Sequence, residues 1–169
     1  MIISTAGLKA ERWVEGWIET EGGDTLVAEI RTQKYFTDKL ICRVGGDRNR
    51  YGIDEVNSFQ IGEELWRKLK IKDLDDQLVF AREEISGSLF ETKITEVKCT
   101  CDDSYQSRKV WIWKTDTELF VFKKRHFGKG LINWFSLKKE LARQAKMNDV
   151  SLPEKLKFDE VPELVSRLS

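Results

Sequence analysis

Turn residues interrupt this chain at intervals of roughly 8–15 residues as far as position 130, and the runs between them suit strands better than helices. Trp13–Thr20 (WVEGWIET) and Thr25–Ile30 (TLVAEI) flank Glu21-Gly22-Gly23-Asp24, two strand-like runs around a Gly-Gly-Asp turn. Lys39–Val44 predicts another strand, stopped by Gly45-Gly46-Asp47. Tyr51–Asp54 then leads through a turn to Ser58–Ile61 and Gly62. Leu65–Ile71 alternates, with Leu65, Arg67, Leu69 and Ile71 on one side and Trp66, Lys68 and Lys70 on the other; this predicts a strand, with a short helix as the alternative. Leu78–Ala81 and Leu89–Cys101 continue the pattern. In the latter, Phe90, Thr92, Ile94 and Glu96 share one face, and Leu89, Glu91, Lys93, Thr95 and Val97 the other. Lys109–Lys114 and Leu119–Arg125 flank Thr115–Glu118 as a second hairpin. The expected fold class is mainly β (α+β): an antiparallel, barrel-like or bent-sandwich domain closed by C-terminal helices.

The texture changes after Gly128-Lys129-Gly130. Leu137, Leu141 and Ala145 recur on one side of a helix expected over Leu131–Met147, with Trp134 one turn earlier and Lys139, Arg143 and Lys146 opposite. Ser136 or Asn133 can serve as its N-cap. Pro153 and Pro162 are each followed by Glu and Leu or Lys, as in first helical turns, and Pro162–Leu168 predicts a last short helix that packs Leu164, Val165 and Leu168. The expected division is an antiparallel β domain over 1–130 and a helical extension over 131–169, as a single folding unit.

A chain of 169 residues with 40% hydrophobic content, six Trp and nine Phe can bury a real core without a staple. Its first eight residues carry no basic leader, and 18 uncharged apolar residues never run together, so neither a signal peptide nor a membrane span is expected. A cytoplasmic protein is the default expectation. Cys42, Cys99, Cys101 and the single His126 would complete a Cys₃His zinc set, but Cys99-Thr100-Cys101 is too short for a zinc knuckle. Buried thiols and no cofactor are the expectation.

The formal net charge of zero conceals an imbalance. Between Ser104 and Met147 eleven Lys/Arg face only Asp116, Glu118 and Glu140, a surplus of eight positive charges that the rest of the chain offsets. Eight aromatic residues lie in the same segment. Basic charge interleaved with rings suits a polyanion or nucleic acid, and also an acidic protein. Phe120 and Phe122 alternate with Leu119 and Val121, so that strand reads as buried on both sides. Trp111 and Trp113 are the better candidates for exposed stacking rings, with Val110 and Ile112 turned to the core. The expected partner-binding set is therefore Trp111, Trp113, Lys123, Lys124, Arg125, Lys129, Lys139, Arg143 and Lys146.

Gly16-Trp17-Ile18, Gly23-Asp24-Thr25-Leu26 and Tyr51–Ile61 with Gly62 give the chain a family likeness. It resembles an uncharacterised family of small bacterial β-rich proteins with a GDTL-type hairpin and a C-terminal helix. The resemblance implies the fold and no particular activity.

An enzymatic alternative rests on Asp76 ahead of one strand and Glu91-Thr92-Lys93 on the next, which loosely resembles the PD-(D/E)xK nucleases. Two carboxylates would hold Mg²⁺ while a lysine on the same strand face positions water. A cross-strand ion pair is the competing reading of Glu91 and Lys93. His126, the only histidine, stands among Lys123, Lys124 and Arg125 and belongs to no triad motif. Gly45-Gly46-Asp47-Arg48-Asn49-Arg50 can bind an anion through its arginines, although a polar hairpin tip explains it better. The reading is thus a non-enzymatic binding or structural module for an acidic partner, contacted through the basic C-terminal half. A metal-dependent nuclease using Asp76, Glu91 and Lys93, and a nucleic-acid-binding protein without catalysis, are the alternatives. Oligomeric state is left open.

Overall fold

In the computed structural model, the described residues are 12–36, 38–72, 76–97, 105–116, 118–123 and 134–168. Ten antiparallel strands form one sheet: β1 (Trp13–Thr20), β2 (Thr25–Arg31), β3 (Lys39–Val44), β4 (Asp47–Gly52), β5 (Val56–Ile61), β6 (Glu64–Ile71), β7 (Gln77–Ile85), β8 (Leu89–Val97), β9 (Tyr105–Lys114) and β10 (Leu119–Lys123). They are followed by α1 (Trp134–Met147), a 3₁₀ turn over Phe158–Glu160 and α2 (Val161–Leu168). The strand order is β10-β9-β8-β7-β6-β5-β1-β2-β3-β4. Each strand thus pairs with its sequence neighbour except at one point, where β5 crosses back to pair with β1.

The fold is mainly antiparallel β with C-terminal helices, as expected, but the sheet does not close. Its order ends at β4 and β10, which each pair on one side only, so the barrel-like form is corrected to an open sheet. Asp47–Arg50 is also a strand rather than a hairpin tip. Gly45 and Gly46 alone make the two-residue turn, with φ of 60° and 93°, the left-handed backbone that such a hairpin requires at both positions. That leaves the polar residues after it free to pair with β3, from Val44↔Asp47 to Lys39↔Gly52. Leu65–Ile71 lies within β6 and is not helical.

Three apolar clusters divide the sheet. On one face of the first half, Ile18, Ala28, Ile30, Leu40, Cys42, Val56, Phe59 and Trp66 form a core that Phe36, from the β2–β3 connection, plugs. Phe36 meets the rings of Phe59 and Trp66 edge-on, each at 4.9 Å. Gly16 lets β1 approach β5 here, since a Cβ at that position would stand 1.9 Å from the Gln60 carbonyl oxygen. Farther along the same face, Leu89, Trp111, Trp113, Phe120 and Phe122 pack beneath Leu137, Leu141 and Ala145 of α1 and Leu164, Val165 and Leu168 of α2. The opposite face of β6–β10 is buried as well, through Leu69, Ile71, Val79, Ala81, Phe90, Ile94, Val110, Ile112 and Val121. The helical stripe expected of Leu137, Leu141 and Ala145 is the buried face of α1, and that of Leu164, Val165 and Leu168 the buried face of α2. Among the described residues, no helix is long and apolar enough to cross a membrane.

Candidate functional site

The expected C-terminal surface is described only in part, and its two tryptophans are not at the surface. Trp111 and Trp113 are 7% and 3% exposed and lie under the helices, so their expected role as stacking platforms is corrected. The reason is tertiary: Val110 and Ile112 are core residues as expected, but the helices bury the other face of the strand too. Trp111 packs 6.1 Å from the Phe158 ring and Trp113 5.6 Å from Phe120. Lys139, Arg143 and Lys146 do lie on the exposed side of α1, yet Arg143 forks onto Glu140 through bonds of 2.9 and 2.6 Å. Lys123 ends β10 and is half-buried. Lys124, Arg125, Lys129, His126, Cys99 and Cys101 lie outside the described residues. Cys42 sits in the first core, where burial pushes its thiol up to about 11. A thiol so far above neutrality is unreactive.

The nuclease set also separates. Glu91 and Lys93 share a face of β8, but Asp76 precedes β7 by one residue and pairs at 3.6 Å with Lys70. Glu91 lies opposite Arg82, six residues beyond Asp76, so roughly 20 Å of strand stands between the two carboxylates. Among the described residues, no cluster of three His, Cys, Asp or Glu is placed to hold a metal.

Glu91 instead belongs to a row that runs across four strands on one face. Trp66 faces Arg82, Arg82 faces Glu91, and Glu91 faces Trp111. The row separates the core plugged by Phe36 from the one beneath the helices. Glu91 is 6% exposed and meets two cations and one hydroxyl donor. The Tyr35 hydroxyl donates to Oε1 at 2.8 Å, while Lys109 Nζ stands 2.8 Å and Arg82 Nη2 3.4 Å from Oε2. Arg82 also donates to Glu64 at 2.8 Å and to Glu84 at 2.7 Å. Burial works against the charge on Arg82, but the Glu84 and Glu64 carboxylates outweigh it and raise its pKa above the ordinary value. Burial, aided by the hydrogen bond and charge of Glu91, pushes the Tyr35 hydroxyl up to about 12. Lys109 also lies over the Trp111 ring at 4.2 Å, and Lys93 is 6.0 Å from the Tyr35 ring. Both oxygens of the Glu91 carboxylate are thus engaged by the chain's own donors. Its chemistry is that of a latch holding the β2–β3 connection onto β8.

The opposite face of β1–β4 is unlike either. The pairings Trp13↔Arg31, Glu15↔Glu29, Trp17↔Val27, Glu29↔Arg43 and Arg43↔Arg48 place these side chains together, away from the core. Strand alternation adds Lys39, Ile41 and Arg50. Val27, opposite Trp17, is 81% exposed. The Arg43 guanidinium lies 4.1 Å over the Trp13 ring and that of Arg48 6.0 Å from it, while Arg43 also reaches Glu29 at 3.7 Å. Trp17 Nε1 donates to Gln60 at 2.9 Å, which fixes the second indole. Lys39, Arg43, Arg48 and Arg50 therefore lie on β3 and β4, and Glu15, Glu19 and Glu29 on β1 and β2, where Arg31 ends β2 opposite Trp13. The sequence carried a signal for this face. In β1 and β3 the core residues Val14, Ile18, Leu40, Cys42 and Val44 alternate with Trp13, Glu15, Trp17, Lys39 and Arg43.

The chain was compared with family models, curated proteins and solved structures. None matches it.

Proposed function

We propose that this protein is a non-enzymatic binding module whose open β1–β4 face takes an acidic protein partner. The observation that carries the proposal is Trp13 with Arg43 4.1 Å over its ring and Arg48 6.0 Å from it, on the sheet face that also carries the exposed Val27. Trp and Arg are the side chains that dominate protein–protein contact energies, because each buries a large surface while keeping a directed polar group. A basic strip on β3 and β4 next to three glutamates on β1 and β2 favours a protein over a nucleic acid. A continuous phosphate lattice would be repelled by Glu15, Glu19 and Glu29, whereas a polypeptide can place its own cations opposite them. The expected acidic partner is thus retained, and the surface offered to it moves from the C-terminal half to the N-terminal strands.

Titrating poly-L-glutamate and a single-stranded oligonucleotide of equal charge tests this. Poly-L-glutamate should bind more weakly as salt rises, and Arg43→Glu with Arg48→Glu should weaken it by about tenfold or more. Tighter binding of the oligonucleotide would replace the protein partner with a nucleic acid. Cleavage of that oligonucleotide with Mg²⁺, lost in Glu91→Ala, would restore the nuclease reading. Binding of neither polymer would overturn the proposal.

A further inference from the structure

The sheet ends at β4, which pairs with β3 and, among the described residues, with no strand on its outer side. Antiparallel pairing fixes which main-chain groups such an edge presents. Val44 and Asp47 flank a two-residue turn and so form a hydrogen-bonded pair, and alternation makes Cys42↔Asn49 and Leu40↔Tyr51 the next two. Ile53 N–H, next in that series, bonds the Asp38 carbonyl at 3.0 Å, as the alternation requires. The main-chain N–H and C=O of Arg48, Arg50 and Gly52 therefore point away from β3. The Glu55 carboxylate takes the Gly52 N–H at 2.6 Å, which caps that end of the edge. Among the described residues, no bond outside the sheet engages the Arg50 N–H or C=O. The Arg50 side chain is exposed on the Trp13 face, whereas Tyr51 turns the other way and packs half-buried against the first core.

We propose that the acidic partner adds an extended segment to this edge as an antiparallel strand, with a carboxylate residue opposite Arg50 and apolar residues on either side of it. The inference rests on the acidic-partner reading above and adds how that partner is held. An edge specifies its occupant more narrowly than a face does, because an extended main chain matches its donor and acceptor. The residue opposite Arg50 exchanges both main-chain hydrogen bonds with it, and its side chain stands on the same face beside the guanidinium. Opposite charge is favourable at that spacing and like charge is not. The flanking residues turn to the core side, where an apolar side chain covers Tyr51. A second copy of β4 is disfavoured by the same rule. Outward residues pair only with outward residues, so Arg50 would meet Arg48 or Arg50 of the other copy, or a Gly52 whose N–H is already taken.

Capped peptides of alternating Glu and Val, titrated into the full chain by isothermal titration, test the proposal. In the added strand the Glu N–H groups face β4 and the Val N–H groups face water. N-methylation of every Glu should therefore weaken binding by about tenfold or more, while N-methylation of every Val should change it by about twofold at most. Arg50→Pro removes the outward N–H but no bond to β3, and should weaken the parent peptide by about tenfold beyond Arg50→Ala, which removes only the side chain. Equal effects of the two methylations, or the larger loss from the Val set, would overturn the strand addition. So would equal affinity in the proline and alanine variants, or a parent peptide that fails to bind while poly-L-glutamate binds. Each of these results leaves the acidic-partner reading standing, whereas binding of neither peptide nor poly-L-glutamate removes both. If Arg50→Pro does not fold, the methylated pair on the unaltered chain decides.

Discussion

The two halves of the sheet bury their strands differently. Through β1–β4 one face holds a core and the other carries Trp13, Val27, Glu29 and five cationic side chains in reach of water. In β8–β10 both faces are buried, one beneath α1 and α2 and one in the cluster of Phe90, Ile94, Val110, Ile112 and Val121. The same antiparallel pairing therefore yields a face in reach of water in one region and strands buried on both faces in the other. What differs is the side chain at every second position: charged or amphipathic in β1 and β3, apolar in β9 and β10. Function is consequently sought where alternation leaves a face uncovered, and rigidity where it does not.

The sharpest way to break this comparison is to truncate one ring in each region. Phe122→Ala, in the doubly buried half, should cost about 3–5 kcal/mol in urea unfolding. Trp13→Ala, on the open face, should cost less than about 1 kcal/mol while abolishing poly-L-glutamate binding. Equal losses would mean that the β1–β4 face is as closed as the other half.

A smaller effect is expected at Gly16, where the first half is most tightly packed. Gly16→Ala puts a Cβ against the Gln60 carbonyl, which is backbone and cannot turn aside. A loss of about 1–3 kcal/mol should appear by chemical denaturation, with amide exchange in β1 and β5 accelerated before that of β8 and β9. Uniform acceleration across the sheet would make the two halves one cooperative unit.

The row between the halves can be examined by charge. Glu91→Gln keeps the shape and an acceptor for Tyr35 but leaves Lys109 and Arg82 without the buried carboxylate, a loss of about 1–3 kcal/mol. A stability change near zero would show that the row does not join the two cores.

The smallest effect is one of pH. The Tyr35 hydroxyl titrates at about 12 in the folded chain against an ordinary value near 10, so folding favours its protonated form. That contribution is complete below pH 10 and is lost as pH rises from 10 to 12. Tyr35→Phe, which cannot ionise, should show a shallower alkaline fall in stability than the parent chain. An unchanged slope would assign the fall to Cys42 and Tyr51, whose pKa values burial also raises.

Most strands could be read locally because a half-buried strand writes its period into its own residues. The β1–β2 and β9–β10 hairpins, and the buried stripes of α1 and α2, are of this kind. The strand β4 was not, since Asp47-Arg48-Asn49-Arg50 has the composition of a loop and becomes a strand only by pairing with β3. The same limit hid the Glu91 row. Tyr35, Trp66, Arg82 and Lys109 come from a connection and three strands, and Tyr35 meets Glu91 across 56 residues of chain. No local pattern brings such groups together.

The sequence by itself determined the mainly antiparallel β class, the change to helix near the C-terminus, and which residues alternate on each strand. These follow from turn chemistry and periodicity, which act over a few residues. Only the tertiary structure decided that the sheet stays open, that Trp111 and Trp113 lie beneath the helices, and that Trp13 with its arginines does not. Alternation says that the two faces of a strand differ, but what covers each face depends on elements far along the chain.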